Sequence, residues 1–200
     1  MPHRCRLMID LMTFIPAVAA ILATPGPTNT LLASSGAQTG FLRSLPLVPA
    51  ELCGYALAIA GWGLFLEPAS AGLPWLKPIL RMACAGYLVI VAWGLWRNAG
   101  EALADAGVGP RRIFGATLLN PKALLFAVVI FPEAAFQNSV TFFQVMGTFA
   151  AIIVPVALAW IGFGATLAGQ NHWLQPRIVQ RGAALVLLTF SASLGAAALG

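Results

Sequence analysis

The sequence predicts an all-α integral membrane protein of six transmembrane helices, arranged as two inverted three-helix repeats with broken helices. Three observations carry this reading. The 200-residue chain is 60% hydrophobic and 8% charged, where a water-soluble globule carries about 25% charged residues; its mean hydropathy is +0.86. Its apolar runs divide into about six stretches, each long enough to cross a hydrocarbon core roughly 30 Å thick. Two of these runs are interrupted by proline, at Thr24-Pro25-Gly26-Pro27-Thr28-Asn29 and at Leu119-Asn120-Pro121-Lys122, one in each half of the chain.

The expected spans are 8–33 (broken at 25–27), 45–66, 74–96, 113–131, 140–168 and 178–199. They form a single membrane domain over 1–200, with a first three-helix half at 1–96, a polar connecting loop at 97–112 and a second half at 113–200. The basic N-terminus, Met1 to Arg6, imitates a signal peptide, but the apolar stretch after it meets Pro-Gly-Pro instead of a small-residue cleavage site. It is expected to stay as the first span. The fifth run exceeds a straight crossing and carries Pro155, so it should tilt or kink. Trp75, Trp93, Trp96 and Trp173 fall near span ends, where amphipathic rings sit at headgroup level. Ala50, Gly54 and Ala58, like Gly36 and Gly40, recur every fourth position, which lets helices approach closely in lipid and would also serve a homodimer.

Charge orients the bundle and excludes several functions. Arg43, Arg97, Arg111, Arg112, Arg177 and Arg181 lie on the odd loops, against Arg4, Arg6, Lys77 and Arg81 on the other face. The positive-inside bias then puts odd loops in the cytoplasm and both termini outside. Three spans per half make the second half enter from the opposite side, which is the layout of an inverted repeat. The eleven basic residues are scattered, with Arg111-Arg112 the one adjacent pair; without a basic tract there is no case for a nucleic-acid partner. Cys5, Cys53 and Cys84 have no CxxC spacing, and are expected to pack as small hydrophobes. His3 and His172 are far apart, and HExxH, GxSxG and Walker sequences are missing. No enzyme, metal site or cofactor is expected.

The chemistry therefore falls to the polar groups inside the apolar runs. Proline removes an N–H and clashes with the carbonyl four residues back, so Pro25, Pro27 and Pro121 should free the carbonyls of Ile21, Ala23 and Thr117. No water in hydrocarbon can satisfy them, unless the break lines a cavity. Paired interruptions of this kind point to a transporter's binding site. After Pro27, Thr28, Asn29 and Thr30 open a new half-helix whose free N–H groups and positive dipole end attract a carboxylate. In the second motif Asn120 is placed as N-cap and Pro121 as the first helical residue. Lys122 then faces the positive dipole end, and something negative should compensate. A fourth span starting near Ile113 puts Lys122 about 13 Å along the helix; a start near Thr117 lets it snorkel to the surface.

Of the acids, Glu51 is the most conspicuous, lying in the second span after Pro46 and Pro49. An acid in hydrocarbon is a candidate for substrate or proton binding; if the span starts late, Glu51 is interfacial. Asp10 and Glu133 read as boundary residues. The expected substrate-binding set is Pro25, Gly26, Pro27, Thr28, Asn29, Glu51, Asn120, Pro121 and Lys122, with Lys122 compensating Glu51 when the site is empty.

These marks, with Gly86-Tyr87-Leu88 and Trp93-Gly94-Leu95-Trp96-Arg97 between them and Ala123 after Lys122, resemble those of the lysine exporter (LysE/RhtB) family of amino-acid efflux proteins. The resemblance implies a small homodimeric inner-membrane exporter that moves amino acids or related metabolites outward on the proton gradient. The chain departs from the family pattern at Phe131-Pro132-Glu133-Ala134 and in the Pro46, Pro49 and Glu51 cluster, which bears on the substrate more than on the fold. A passive channel, a non-transporting membrane subunit and an intramembrane enzyme are the alternative classes.

Overall fold

The computed structural model describes residues 2–73, 75–97 and 108–168, together with scattered positions between 181 and 196. Every element among the described residues is helical: α1 (Pro2–Ala23), α2 (Pro27–Thr39), α3 (Phe41–Ser44), α4 (Leu47–Gly72), α5 (Leu76–Arg97), α6 (Pro110–Leu118), α7 (Pro121–Leu125), a π-helical turn (Phe126–Ile130), α8 (Glu133–Gln137) and α9 (Ser139–Ala168). Three helical stretches are long and apolar enough to cross a membrane, Phe41–Leu66, Leu76–Gly94 and Ser139–Thr166. A fourth crossing results if α6 and the Pro121–Ile130 stretch, bent by 48°, count as one span.

The expected six crossings are thus not all present as long helices among the described residues. In the first predicted span the chain breaks between α1 and α2, leaving Met12–Ala23 as a shorter apolar helix. Most of the sixth predicted span, and connector residues 98–107, lie outside the described residues. One side of the described positions in the last stretch is packed: Ala184 and Leu187 are buried, and the Ser191 hydroxyl donates to the carbonyl of Ala85 in α5 (3.0 Å).

Each element ends for a local reason. Pro25 and Pro27 stop α1 and start α2, Pro27 standing in the first helical turn where its missing N–H costs nothing. Gly40 closes α2 at φ 85°, a left-handed conformation that a side chain resists. The fifth run forms one helix of 30 residues, α9, that continues through Pro155.

Glycines set the closest contacts. A Cβ on Gly36 of α2 would lie 2.1 Å from the Ile161 carbonyl oxygen, and one on Gly164 of α9 would lie 1.8 Å from that of Ala33. The two helices touch main chain to main chain. Gly54 of α4 has the same role against α6, where its Cβ would stand 2.8 Å from Thr117 Cβ. Gly36 and Gly54 of the small-residue spacing noted in the sequence are therefore packed within the chain, as expected for helices in lipid, whereas a Cβ on Gly40 would meet nothing within 4 Å. The first broken helix packs chiefly on α9 and the second on α4, so each interrupted helix leans on a long helix from the other half of the chain.

The outward surfaces of α4 and α5 are apolar, with Leu57, Leu64, Phe65, Ile90 and Trp93 exposed. Bare apolar surface of this extent is a lipid-facing surface. Trp75 and Trp96 are exposed near the two ends of α5, as interfacial anchors should be. Cys84 is buried as expected, but Cys53 is exposed; one position before Gly54, it points away from the α4–α6 contact.

The glycine contacts yield a direct test. Gly164→Ala must push α2 off α9 and should destabilise the protein by about 1–3 kcal/mol, as overpacking does. Gly86→Ala, with nothing within 4 Å of its added carbon, should leave the melting temperature in detergent unchanged. Equal melting of the two variants would contradict the packing.

Candidate functional site

The first helix break leaves a row of carbonyls that helix geometry would otherwise have used. The residues that should bond back to Ile21, Leu22 and Thr24 are Pro25, Gly26 and Thr28, and the break withholds all three. Side chains take their place. The carbonyl of Ile21 accepts from Thr24 Oγ1 (2.6 Å) and from Lys122 Nζ (2.9 Å). Asn29 Nδ2 donates to the carbonyls of Leu22 (2.6 Å) and Thr24 (2.8 Å), and Lys122 Nζ also reaches Thr24 (2.7 Å). The expected free carbonyl at Ile21 is therefore already bonded. That at Thr117 is bonded as well, accepting from the Asn120 N–H at 3.0 Å.

Lys122 thus joins the two motifs. It is buried, at 4% exposure, because α6 begins at Pro110 and carries the second break well inside the bundle; the snorkelling arrangement does not occur. The expected compensation by Glu51 acts through space, without a direct ion pair, and a second source adds to it. The ammonium sits at the C-terminal end of α1, where the helix dipole is negative, and its hydrogen bonds to carbonyls are charge-assisted. Gly26 makes room for it: a Cβ there would lie 3.3 Å from both Cε and Nζ of Lys122. The φ of Gly26 is −174°, so space and not backbone conformation is the reason for a glycine.

Asn120 extends the junction. As predicted it caps α7, its Oδ1 accepting from the Lys122 N–H (3.0 Å). Its Nδ2 lies within reach of Thr28 Oγ1 (3.2 Å) and the Tyr55 hydroxyl (3.3 Å), and Thr28 Oγ1 is 3.4 Å from Thr117 Oγ1. Thr24, Tyr55 and Thr117 are buried members of this centre that sequence reading missed. Tyr55 was the most readable of them, because it stands one helical turn after Glu51 and so shares its face.

Of the predicted set, Thr28, Asn29, Glu51, Asn120 and Lys122 are buried polar groups. Pro25 is buried too, Gly26 and Pro121 are half-buried, and Pro27 is exposed. Glu51 is 1% exposed, so it does not face solvent, and its Oε2 has no hydrogen-bond partner among the described residues. It forms no ion pair with Lys122, whose ammonium bonds to carbonyls instead. Of the two acids read as boundary residues, Glu133 is exposed and bonded to Lys77 Nζ at 2.8 Å; the side chain of Asp10 lies outside the described residues.

None of the nine predicted residues lines the main cavity, of about 560 Å³, whose walls include Phe14, Leu66, Arg81, Ala127, Phe131 and Glu133. Ring contacts lead from that wall to the polar centre, through Phe131–Phe149 and Phe149–Tyr55, each with centroids 5.8 Å apart. Phe126, on the π-helical turn, packs edge-on against both Phe149 and Tyr55. The centre is therefore closed from the cavity by aromatic side chains, and one of them stands on a turn of the kind that recurs at functional sites.

Two helix breaks that meet in a buried polar centre, inside helices suited to lipid, define a membrane translocator. A family model described as LysE type translocator matches residues 19–197. The chain belongs to this LysE type translocator family. No curated protein and no solved structure gave a match.

The geometry separates the two buried charges. Lys122→Met removes two charge-assisted hydrogen bonds, each worth about 1.5–3 kcal/mol, and should lower the yield and melting temperature of folded protein. Glu51→Gln, which removes a charge with an unpartnered oxygen, should be far milder. Adding Glu51→Gln to Lys122→Met should not restore folding, because the carbonyls of Ile21 and Thr24 still lack the ammonium. Recovery of the double variant would show a direct ion pair instead.

Proposed function

We propose that the protein is a secondary transporter that exports amino acids or related small metabolites across the cytoplasmic membrane, driven by the proton gradient. In this reading six spans form two inverted three-helix repeats, and a homodimer is the working unit. The observation that carries it is Lys122, whose ammonium bridges from the second broken helix to the open carbonyl end of the first. Thr24 and Asn29 repair part of the break from its own side; the two bonds from Lys122 come from the opposite half, so movement of the halves must break or re-form those two.

The parts divide the work. The α2 N-terminus has no side-chain cap, which leaves its N–H groups suited to a substrate carboxylate. Substrate binding at Thr28 and Asn29 competes with the bonds these residues make to Asn120, Leu22 and Thr24. Glu51 is the proton carrier: a buried carboxylate without a full set of partners is most easily held neutral, and proton uptake lets it cross the membrane field uncharged. Lys122 occupies the carbonyls of Ile21 and Thr24 in the empty state and yields them to a substrate ammonium group. Rocking of one half against the other then exposes the centre alternately to each face.

The test is efflux from proteoliposomes loaded with radiolabelled amino acids. An acidic exterior should accelerate efflux, and a protonophore should remove the acceleration. Glu51→Gln should abolish gradient-driven efflux while keeping exchange of internal for external substrate, because exchange needs no net proton movement. Gradient-driven efflux by folded Glu51→Gln protein would remove Glu51 from the proton path.

A further inference from the structure

The cavity of about 560 Å³ has a size in the usual range for small-molecule sites, and none of the residues assigned to the central site lines it. Its walls differ sharply. Phe14, Leu66, Val129 and Phe136 form an apolar side, Thr141, Gln144 and Thr148 of α9 form a neutral polar side, and Lys77, Arg81 and Glu133 bring charge to the same space.

The three charges are not equivalent. Lys77 Nζ holds Glu133 Oε1 at 2.8 Å, and this bond keeps the Glu133 carboxyl below the usual carboxylate range. Glu133 stays ionised at neutral pH, with most of its side chain exposed and room at its second oxygen. Arg81 is half-buried, and donates no hydrogen bond to a described residue. Among the described wall residues, two cations, Lys77 and Arg81, stand with one acid, Glu133, and Arg81 also acts electrostatically on Glu133. A planar guanidinium in a recess is suited to a carboxylate.

We propose that this cavity is a second substrate site, a vestibule in which Arg81 receives the carboxylate and Glu133 the ammonium of a zwitterion whose apolar side chain rests on Phe14, Leu66 and Phe136. The inference rests on the transport reading and adds a substrate preference to it. A simple carboxylate satisfies Arg81 but meets the charge of Glu133, and a simple amine meets Arg81. Only a molecule with both groups satisfies both residues. The aromatic wall favours leucine-, methionine- or phenylalanine-like side chains over charged ones, which would be stranded against apolar carbon. Because Phe131 belongs both to this wall and to the ring series leading to Tyr55, the vestibule is the last or first stop beside the closed centre.

The test uses the full-length protein in nanodiscs, with its three cysteines replaced and Gln144→Cys introduced as a reporter on the cavity wall. A membrane-impermeant maleimide should label the reporter. Leucine, methionine and phenylalanine should slow labelling, whereas isovalerate and leucinamide, which each lack one of the two charges, should protect at least about tenfold less well. Arg81→Gln should remove the protection by leucine, and Glu133→Gln should weaken it while improving that by isovalerate. An unlabelled reporter, protection by none of the three amino acids, or protection unaffected by both substitutions would overturn the proposal. Efflux is measured on the same protein: efflux without protection rejects the vestibule alone, and protection without efflux rejects transport while the site stands.

Discussion

The structure depends on one constraint, that main-chain carbonyls freed by proline inside an apolar bundle must find donors. Breaking α1 at Pro25 and Pro27 withdraws the helical donors from the carbonyls of Ile21, Leu22, Ala23 and Thr24, and those of Ile21, Leu22 and Thr24 are bonded by side chains of Thr24, Asn29 and Lys122. Burying an ammonium group is costly in isolation. At the negative end of a helix, with carbonyls at 2.7 and 2.9 Å, the cost is largely offset. The carbonyls of Ile21 and Thr24, each with a local donor from Thr24 or Asn29, have acceptor capacity left for the cation, and the cation would be costly to bury without them.

This exchange determines what surrounds it. Lys122 can reach α1 only if the second broken helix enters the bundle beside the first, and the close contacts at Gly54 and Gly36 allow that approach. Gly26 leaves the volume that the lysine stem occupies. Asn120 then caps α7 and holds Thr28 and Tyr55 in the same network. Below it the rings of Phe126, Phe131 and Phe149 close the centre from the cavity. Glu51 is the exception: buried at 1% exposure with an oxygen left unbonded, it is the group whose charge the resting arrangement does least to support.

Much of this was legible in the residues because proline and charge leave strong marks in apolar sequence. Both breaks, the Asn120 cap and the burial candidates Glu51 and Lys122 followed from local chemistry. What was not legible was pairing. Sequence gives the helix in which a carbonyl is orphaned but not the donor that comes to it, so Ile21 was expected to be free and Lys122 to answer Glu51. Thr24 and Thr117 were missed for the same reason, since a threonine hydroxyl in an apolar helix can bond its own previous turn, as both do, and carries no sign of a distant partner. The cavity was also invisible beforehand, because its charged members, Lys77, Arg81 and Glu133, come from helices far apart in the chain.

The central claim is that Lys122 holds the open end of α1 from the other half of the protein. Hydrogen–deuterium exchange on wild-type and Lys122→Met protein tests it at the residues concerned. The account predicts faster exchange at the amides of Ala23, Thr24 and Thr28 to Leu31, some 100 positions from the substitution, together with faster exchange around α7. Exchange that rises only near residue 122, with the α1–α2 junction as protected as in the wild type, would contradict it.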